Sequence, residues 1–228
     1  MVTMHWLIHP LRWCFGLVLL ACLGGCGTPE SDVLRFGLKS SPITLDPRFA
    51  TDAASSRVNR LIYRQLVDFD DGYRAIPGIA TWQRLEPARY RFFLGNEGRL
   101  FHDGSRLVAD DVAATYRSIL MEETASPHRG ALKHIERITV IDENTIDFEL
   151  SKPDPLFPGL LVIGLAPRHR LTEALARTPM GSGAFEFVEW PDDTRLVLRR
   201  KHDDQLLELL KVPKPTVRVL KLLRCEID

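Results

Sequence analysis

Cys26 constrains this chain more than any other residue, because of what stands before it. The run Leu23-Gly24-Gly25-Cys26 closes a short apolar stretch, Trp13 to Leu23, which Arg12 and the N-terminal amine precede. A positive start, a brief apolar core and small residues before a cut describe a secretory signal. A cysteine directly after two glycines makes it a lipoprotein signal: the small residues let the backbone enter a peptidase cleft, and the thiol accepts the diacylglyceryl chain. The apolar run is shorter than the ~20 residues a membrane-spanning helix needs. The expected mature chain begins at Cys26, outside the cytoplasm and tethered to a membrane by lipid. Cys14 and Cys22 leave with residues 1–25, Cys26 is consumed by lipid, and Cys225 remains alone. No intramolecular disulfide is then possible, so the exported fold must rest on its hydrophobic core.

That core is affordable. The chain has 228 residues and 45% apolar residues, an ordinary globular composition. Residues 1–25 hold one of the 30 basic residues and none of the 30 acidic ones, leaving the remainder one negative charge from balance. Nothing here suits a nucleic-acid partner, which wants a basic face.

Residues 27–32 read as a polar tether. Leu34, Phe36 and Leu38 alternate as a strand. Val58, Leu61, Ile62 and Leu66 share a helix face, with Ser55 or Ser56 as the expected N-cap. Tyr90, Phe92 and Leu94 alternate again. Val108-Ala109-Asp110-Asp111-Val112 opens a helix with two carboxylates at the positive end of its dipole. Residues 135–141 and 145–150 form one expected hairpin, and 184–190 with 195–199 a second. Leu156–Ile163 reads as a short helix, and Val217–Leu223 as strand or helix. Strands and helices mix without a strict βαβ rhythm, so the fold class is α/β or α+β with more than one sheet.

Catalytic readings do not hold. Met180-Gly181-Ser182-Gly183 lacks the glycine two before the serine that a nucleophile elbow needs, and reads as a tight turn feeding a strand. Its glycines could cradle an anion, but no helix follows to supply a dipole. His102, His128, His134, His169 and His202 are scattered, without the one-face pair that zinc favours. Asp110 and Asp111 point to different helix faces. Arg199-Arg200-Lys201 reads as solvated charge at a strand end. Neither metal nor cofactor is expected.

Four stretches, in order, resemble one family. They are Leu45-Asp46-Pro47; Ile62-Tyr63-Arg64-Gln65-Leu66-Val67 followed by Pro77-Gly78-Ile79-Ala80 and Trp82; Phe101-His102-Asp103-Gly104 followed by Leu107, Ala109, Asp110, Asp111 and Val112; and Gly181-Ser182-Gly183-Ala184-Phe185. They are similar to the "LDP", "IYE-x-L-V…PG-L-A-x-x-W", "F-H-D-G-x-x-L-T-A-x-D-V" and "G-T-G-P-Y" signatures of the peptide-binding extracytoplasmic solute receptors of ABC transporters, the oligopeptide and dipeptide group.

The resemblance implies a two-lobed α/β fold of the periplasmic-binding-protein type (class II-like) with a small extra domain. Residues 33–45 and 181–228 would belong to the first lobe and 46–180 to the extra domain. It implies a lipid-anchored binding component at the periplasm or cell surface, with a peptide or other small solute as ligand and membrane permease subunits as partners. Ser40, Ser41, Thr44, Ser182 and Gly183 would remain of the cleft rim. Family members run to more than twice this length, and where they read "G-E-I-D" and continue into a second lobe, this sequence reads Cys225-Glu226-Ile227-Asp228. A chain with one lobe is expected to bind peptide weakly or not at all, since one wall buries too little of the ligand. Two other functions stay open: a lipoprotein remnant that binds no solute, and a surface hydrolase, for which the sequence offers no nucleophile–base set.

Overall fold

A computed structural model describes residues 33–172 and 175–228; the expected signal, Cys26 and the expected tether lie outside the described residues. Val33–Asp228 forms one unit built on two sheets.

The first sheet joins the two ends of that unit. Strand β1 (Val33–Leu38) pairs in parallel with β10 (Leu206–Lys211), which continues antiparallel to β9 (Arg195–Arg200) and then β8 (Phe185–Asp192). A parallel pair needs a long crossover, and here most of the chain provides it. The sheet buries Leu196, Leu198, Leu207 and Leu209 against Leu45 and helix α1 (Ala53–Ile62). Strand β10 was not foreseen: Leu206-Leu207-Glu208-Leu209-Leu210 is built from good helix formers, and pairing with β1 decides its conformation.

Helix α1 starts earlier than the sequence suggests. Its N-cap is Asp52, whose Oδ1 accepts the Ala54 and Ser55 N–H groups at 3.0 and 2.9 Å. Ser55 instead turns inward, and its Oγ accepts the Ile43 and Thr44 N–H groups. Val58 and Ile62 face the first-sheet core. That core also takes Tyr63, Ala166 and Leu175, from within residues 46–180.

After the short pair β2 (Val67–Phe69) and β3 (Ala75–Pro77), the second sheet runs β4-β5-β7-β6. Its strands are Ala80–Glu86 (β4), Arg89–Leu94 (β5), Ile135–Asp142 (β6) and Thr145–Leu150 (β7), all antiparallel. The expected 135–150 hairpin is present. Helix α2 (Ala109–Leu120) and the short α3 (Arg129–Leu132) accompany it. Phe148 is central to this core, edge-on to Phe92 at 5.5 Å and to Tyr116 at 5.6 Å. Asp110 and Asp111 stand in the first turn of α2 as expected. Residues 157–160 form a 3₁₀ turn rather than a longer helix, because Pro158 and Gly159 interrupt it. Pro215–Leu223 is helix α4, with proline at its start.

Candidate functional site

The Phe101-His102-Asp103-Gly104 turn docks on the Gly181-Ser182-Gly183 turn. The His102 N–H donates to the Gly181 carbonyl at 2.9 Å, and its Nε2 lies 3.2 Å from the Gly183 carbonyl. Both glycines press on the C-terminal end of α1. A Cβ at 181 would meet the Ile62 carbonyl oxygen at 2.0 Å, and one at 183 the Leu61 carbonyl oxygen at 2.2 Å. Only glycine permits that approach. Ser182 is buried, which fits a turn and no nucleophile.

The five expected rim residues sit on different neighbours. Ser40 is exposed. Ser41 donates its hydroxyl to the Asp193 carbonyl, in the β8–β9 turn. Thr44 is buried beside Ser55, near the start of α1, and its Oγ1 accepts the Asp46 N–H. Ser182 and Gly183 lie at the other end of α1, ~10 Å away along its axis. The structure therefore brings Ser182 and Gly183 together, and does not bring Thr44 to them.

A cleft of 410 Å³ opens elsewhere, along the side of α1. That volume falls within the ~300–1,000 Å³ of small-solute sites. Ser56, Asn59 and Arg60 supply one wall from α1, and Pro47 and Ala50 extend it from the Leu45-Asp46-Pro47 loop. Gly159, Leu160 and residues 162–164, with His128, Ala131 and Leu132 from the α3 region, complete much of the lining. Phe69 stands at one margin, 38% exposed. Gly164 lets the opposite wall close up: a Cβ there would meet Tyr63 Cβ at 2.6 Å and Pro47 Cβ at 3.0 Å.

The polar groups of this cleft differ in how they are satisfied. Arg60 is committed to Asp68, at 2.6 Å. Burial pushes the His128 imidazole below its usual pKa, although the Ala50 carbonyl opposes the shift, so the ring is neutral at pH 7. Asn59 is 5% exposed, and neither its Oδ1 nor its Nδ2 has a hydrogen-bond partner. A buried amide left unpaired costs about 1–3 kcal/mol. Asn59 offers one acceptor and a donor pair, the complement of a peptide group. Sequence reasoning missed Asn59. The available signal was a polar residue between Val58 and Ile62, on the face that must be buried. His128 was noted only as one scattered histidine.

The profile of the bacterial extracellular solute-binding proteins, family 5 Middle, matches residues 76–218. The oligopeptide-binding protein AppA of Bacillus subtilis is 24% identical over 183 residues, covering 75% of this chain and 34% of its own. Its structure, in complex with a nonapeptide, superposes with a TM-score of 0.80 at 22% identity, covering 86% of this chain and 43% of that one. NikZ from Campylobacter jejuni, in complex with Ni(L-His), superposes with a TM-score of 0.78 at 22% identity, over 87% and 43% of the two chains. These superpositions assign the fold, that of periplasmic-binding-protein-type solute receptors. The chain spans about a third of the length of the curated relatives it matches.

Proposed function

This chain belongs to the bacterial extracellular solute-binding proteins of family 5, and we propose that it serves as the lipid-anchored, extracytoplasmic solute-binding component of an ABC uptake transporter. Its solute is a peptide or another small amide-bearing molecule, taken up in the cleft beside Asn59. The observation that carries this reading is the Asn59 side-chain amide, buried in a cleft wall with no partner on either polar atom. A solute amide would satisfy both atoms. Leu132, Leu160 and Ile163 would shield that hydrogen bond from water. AppA, a relative, binds oligopeptides by its name, which favours the peptide class. The protein binds its solute and does not transform it, and membrane permease subunits receive what it delivers.

The anchor rests on Leu23-Gly24-Gly25-Cys26. Labelled palmitate should enter the wild-type protein and be absent from Cys26→Ser. Equal labelling of the two would remove the anchor. A single acyl chain holds a protein only marginally, whereas the two or three of a lipoprotein hold it stably.

The binding reading is tested by equilibrium dialysis of the purified protein against a mixed library of di- to pentapeptides, with retained peptides identified by mass spectrometry. Peptides should be enriched by wild type and not by Asn59→Leu, at equal folded fraction. No enrichment by either would leave a lipoprotein that binds no peptide. Hydrolysed peptides in the retentate would point instead to an enzyme.

A further inference from the structure

A second cleft, of 330 Å³, lies on other elements and is lined by four cations: Arg64, Arg99, Arg106 and Lys201. Arg64 follows α1, Arg99 and Arg106 come from the segment between β5 and α2, and Lys201 follows β9. Asn96, Gly98, Leu100, Ser182 and Gly183 complete the lining.

The charge here is unusual for this molecule. The chain carries 30 basic and 30 acidic residues, and many of its arginines outside this cleft are paired with carboxylates. Arg89 and Arg91 share Asp147, Arg195 joins Glu189 and Glu208, Arg199 joins Glu186, and Arg200 joins Asp203. Among the described residues, no carboxylate lies within 4.0 Å of a charged nitrogen of Arg64, Arg99, Arg106 or Lys201.

Arg99 makes the deficit acute. It is 2% exposed, and its guanidinium donates only to neutral acceptors: the Leu107 carbonyl at 2.7 Å, Asn144 Oδ1 at 2.6 Å, and the Gly95 and Glu143 carbonyls, both at 3.2 Å. Burial depresses its pKa and the neighbouring Arg106 charge depresses it further, while the Glu143 and Asp111 charges oppose this from a distance. Asp111 is already committed to the Val108 and Arg168 N–H groups. A buried cation without a counter-charge is costly.

Two further features fit a ligand. Ser182 is 5% exposed, and its hydroxyl has no partner. Arg64 lies across Gly98, where a Cβ would meet its Nε at 3.3 Å and where φ is +68°. Position 98 therefore excludes side chains that would cover the cleft. The Gly183 N–H is spent on the Ile62 carbonyl at 2.7 Å, so recognition falls to side chains rather than to a backbone cradle.

We propose that this cleft binds a multiply charged oxyanion, a phosphate group, between Arg64, Arg106 and Lys201, with Arg99 as the fixed charge beneath. Guanidinium forks match phosphate oxygens in pairs, and three exposed cations around one buried cation suit a dianion better than a carboxylate. The phosphate belongs either to a small soluble molecule or to a lipid headgroup. The site shares no lining residue with the cleft at Asn59 and does not depend on the peptide reading.

The test is calorimetric titration of the purified protein with inorganic phosphate at low ionic strength, with acetate as the monoanion control. Saturable 1:1 binding is expected, weakened roughly tenfold or more in Arg106→Gln/Lys201→Gln at unchanged Tm. Both residues are exposed, so the variant should fold. Ser182→Ala should weaken binding by a smaller factor. Displacement of phosphate by phosphatidic acid vesicles, whose headgroup is a phosphomonoester, but not by phosphatidylcholine vesicles, identifies a headgroup; no displacement identifies a soluble phosphate. Unsaturable heats, acetate binding as tightly as phosphate, or a double variant that binds like wild type would overturn the proposal.

Discussion

Arg48 grips Asp46 with two parallel hydrogen bonds, Nε to Oδ1 at 3.0 Å and Nη2 to Oδ2 at 2.7 Å, with both side chains more than nine-tenths buried. Its remaining Nη1 donates to Ser118 Oγ on α2 and to the Leu171 carbonyl, and its own carbonyl accepts the Ser126 hydroxyl. The Leu45-Asp46-Pro47 loop is thereby tied to α2 and to the loop that carries His128. Arg48→Met would leave the buried Asp46 carboxylate without a counter-charge, holding only the backbone N–H of residue 48 at 2.9 Å. We expect a loss of about 3–5 kcal/mol, read by urea unfolding. Adding Asp46→Asn should recover part of it. A single variant within experimental error of wild type would remove this pair from the account.

The two carboxylates at the start of α2 should separate in effect. Asp111 is 4% exposed, accepting the Val108 N–H with Oδ2 and the Arg168 N–H with Oδ1, both at 2.9 Å. Asp110 is half exposed and meets Arg168 at 3.3 Å. Asp111→Ala should lower stability by about 1–3 kcal/mol, through two abandoned donors. Asp110→Asn should change it by under about 1 kcal/mol, the usual worth of an exposed pair. Neither should alter solute binding. A reversed order in thermal melts would contradict the assignment.

Helix α4 ends in a Schellman motif: the Glu226 N–H donates to the Lys221 carbonyl at 2.9 Å and the Cys225 N–H to the Leu222 carbonyl at 3.0 Å. The left-handed residue in it is Cys225, at φ +54°. A side chain there is strained by about 1–2 kcal/mol, partly offset by the extra freedom glycine loses on folding. Cys225→Gly should therefore raise stability by up to about 1 kcal/mol, and Cys225→Val should lower it. Both are read from unfolding midpoints.

Stability should fall as the pH drops, in two stages. Burial lowers the pKa of His102 and of His128, so both are neutral in the folded state. Their contribution is complete above the unfolded value of about 6.5 and is lost as pH falls from there through their lower native values. Asp147 is held below the usual carboxylate range by its hydrogen bond to Arg91, with burial opposing and Arg89 assisting. Its contribution is complete above about pH 4 and is lost as pH falls through its depressed native value. A melting temperature that declines between pH 7 and 5, and declines less in His128→Phe, checks the first stage. A flat profile there would contradict it.

Much of the fold was legible because its signals are local. The alternation of Tyr90, Phe92 and Leu94, the 142–144 turn and the charged start of α2 each state their own conformation. Strand β10 was not legible, since Leu206–Lys211 becomes a strand only by meeting β1 from the far end of the chain. The N-cap at Asp52 was missed because Ser55, an equally good cap by type, is claimed by the Ile43 and Thr44 amides. The site was the least legible part. Asn59 and His128 lie far apart in sequence and reach one cleft because the loop carrying His128 is hydrogen-bonded to the segment of residues 48–50 before α1, and no spacing rule encodes a partner that is missing. Ser182 and Gly183, expected at the solute-cleft rim, line the cationic cleft rather than the one at Asn59.

The central claim is that the Asn59 amide receives the solute. Its side-chain NH₂ signal, assigned by comparison with Asn59→Leu, can be followed by NMR while short peptides are added. This readout detects weak binding. We expect that signal and the His128 ring to shift together and saturate, with a Kd on the order of 0.1–1 mM for this chain. The Arg64 and Lys201 signals should stay in place. An Asn59 signal that does not move at roughly ten times that concentration, or peptide-dependent shifts confined to other residues, would contradict the account.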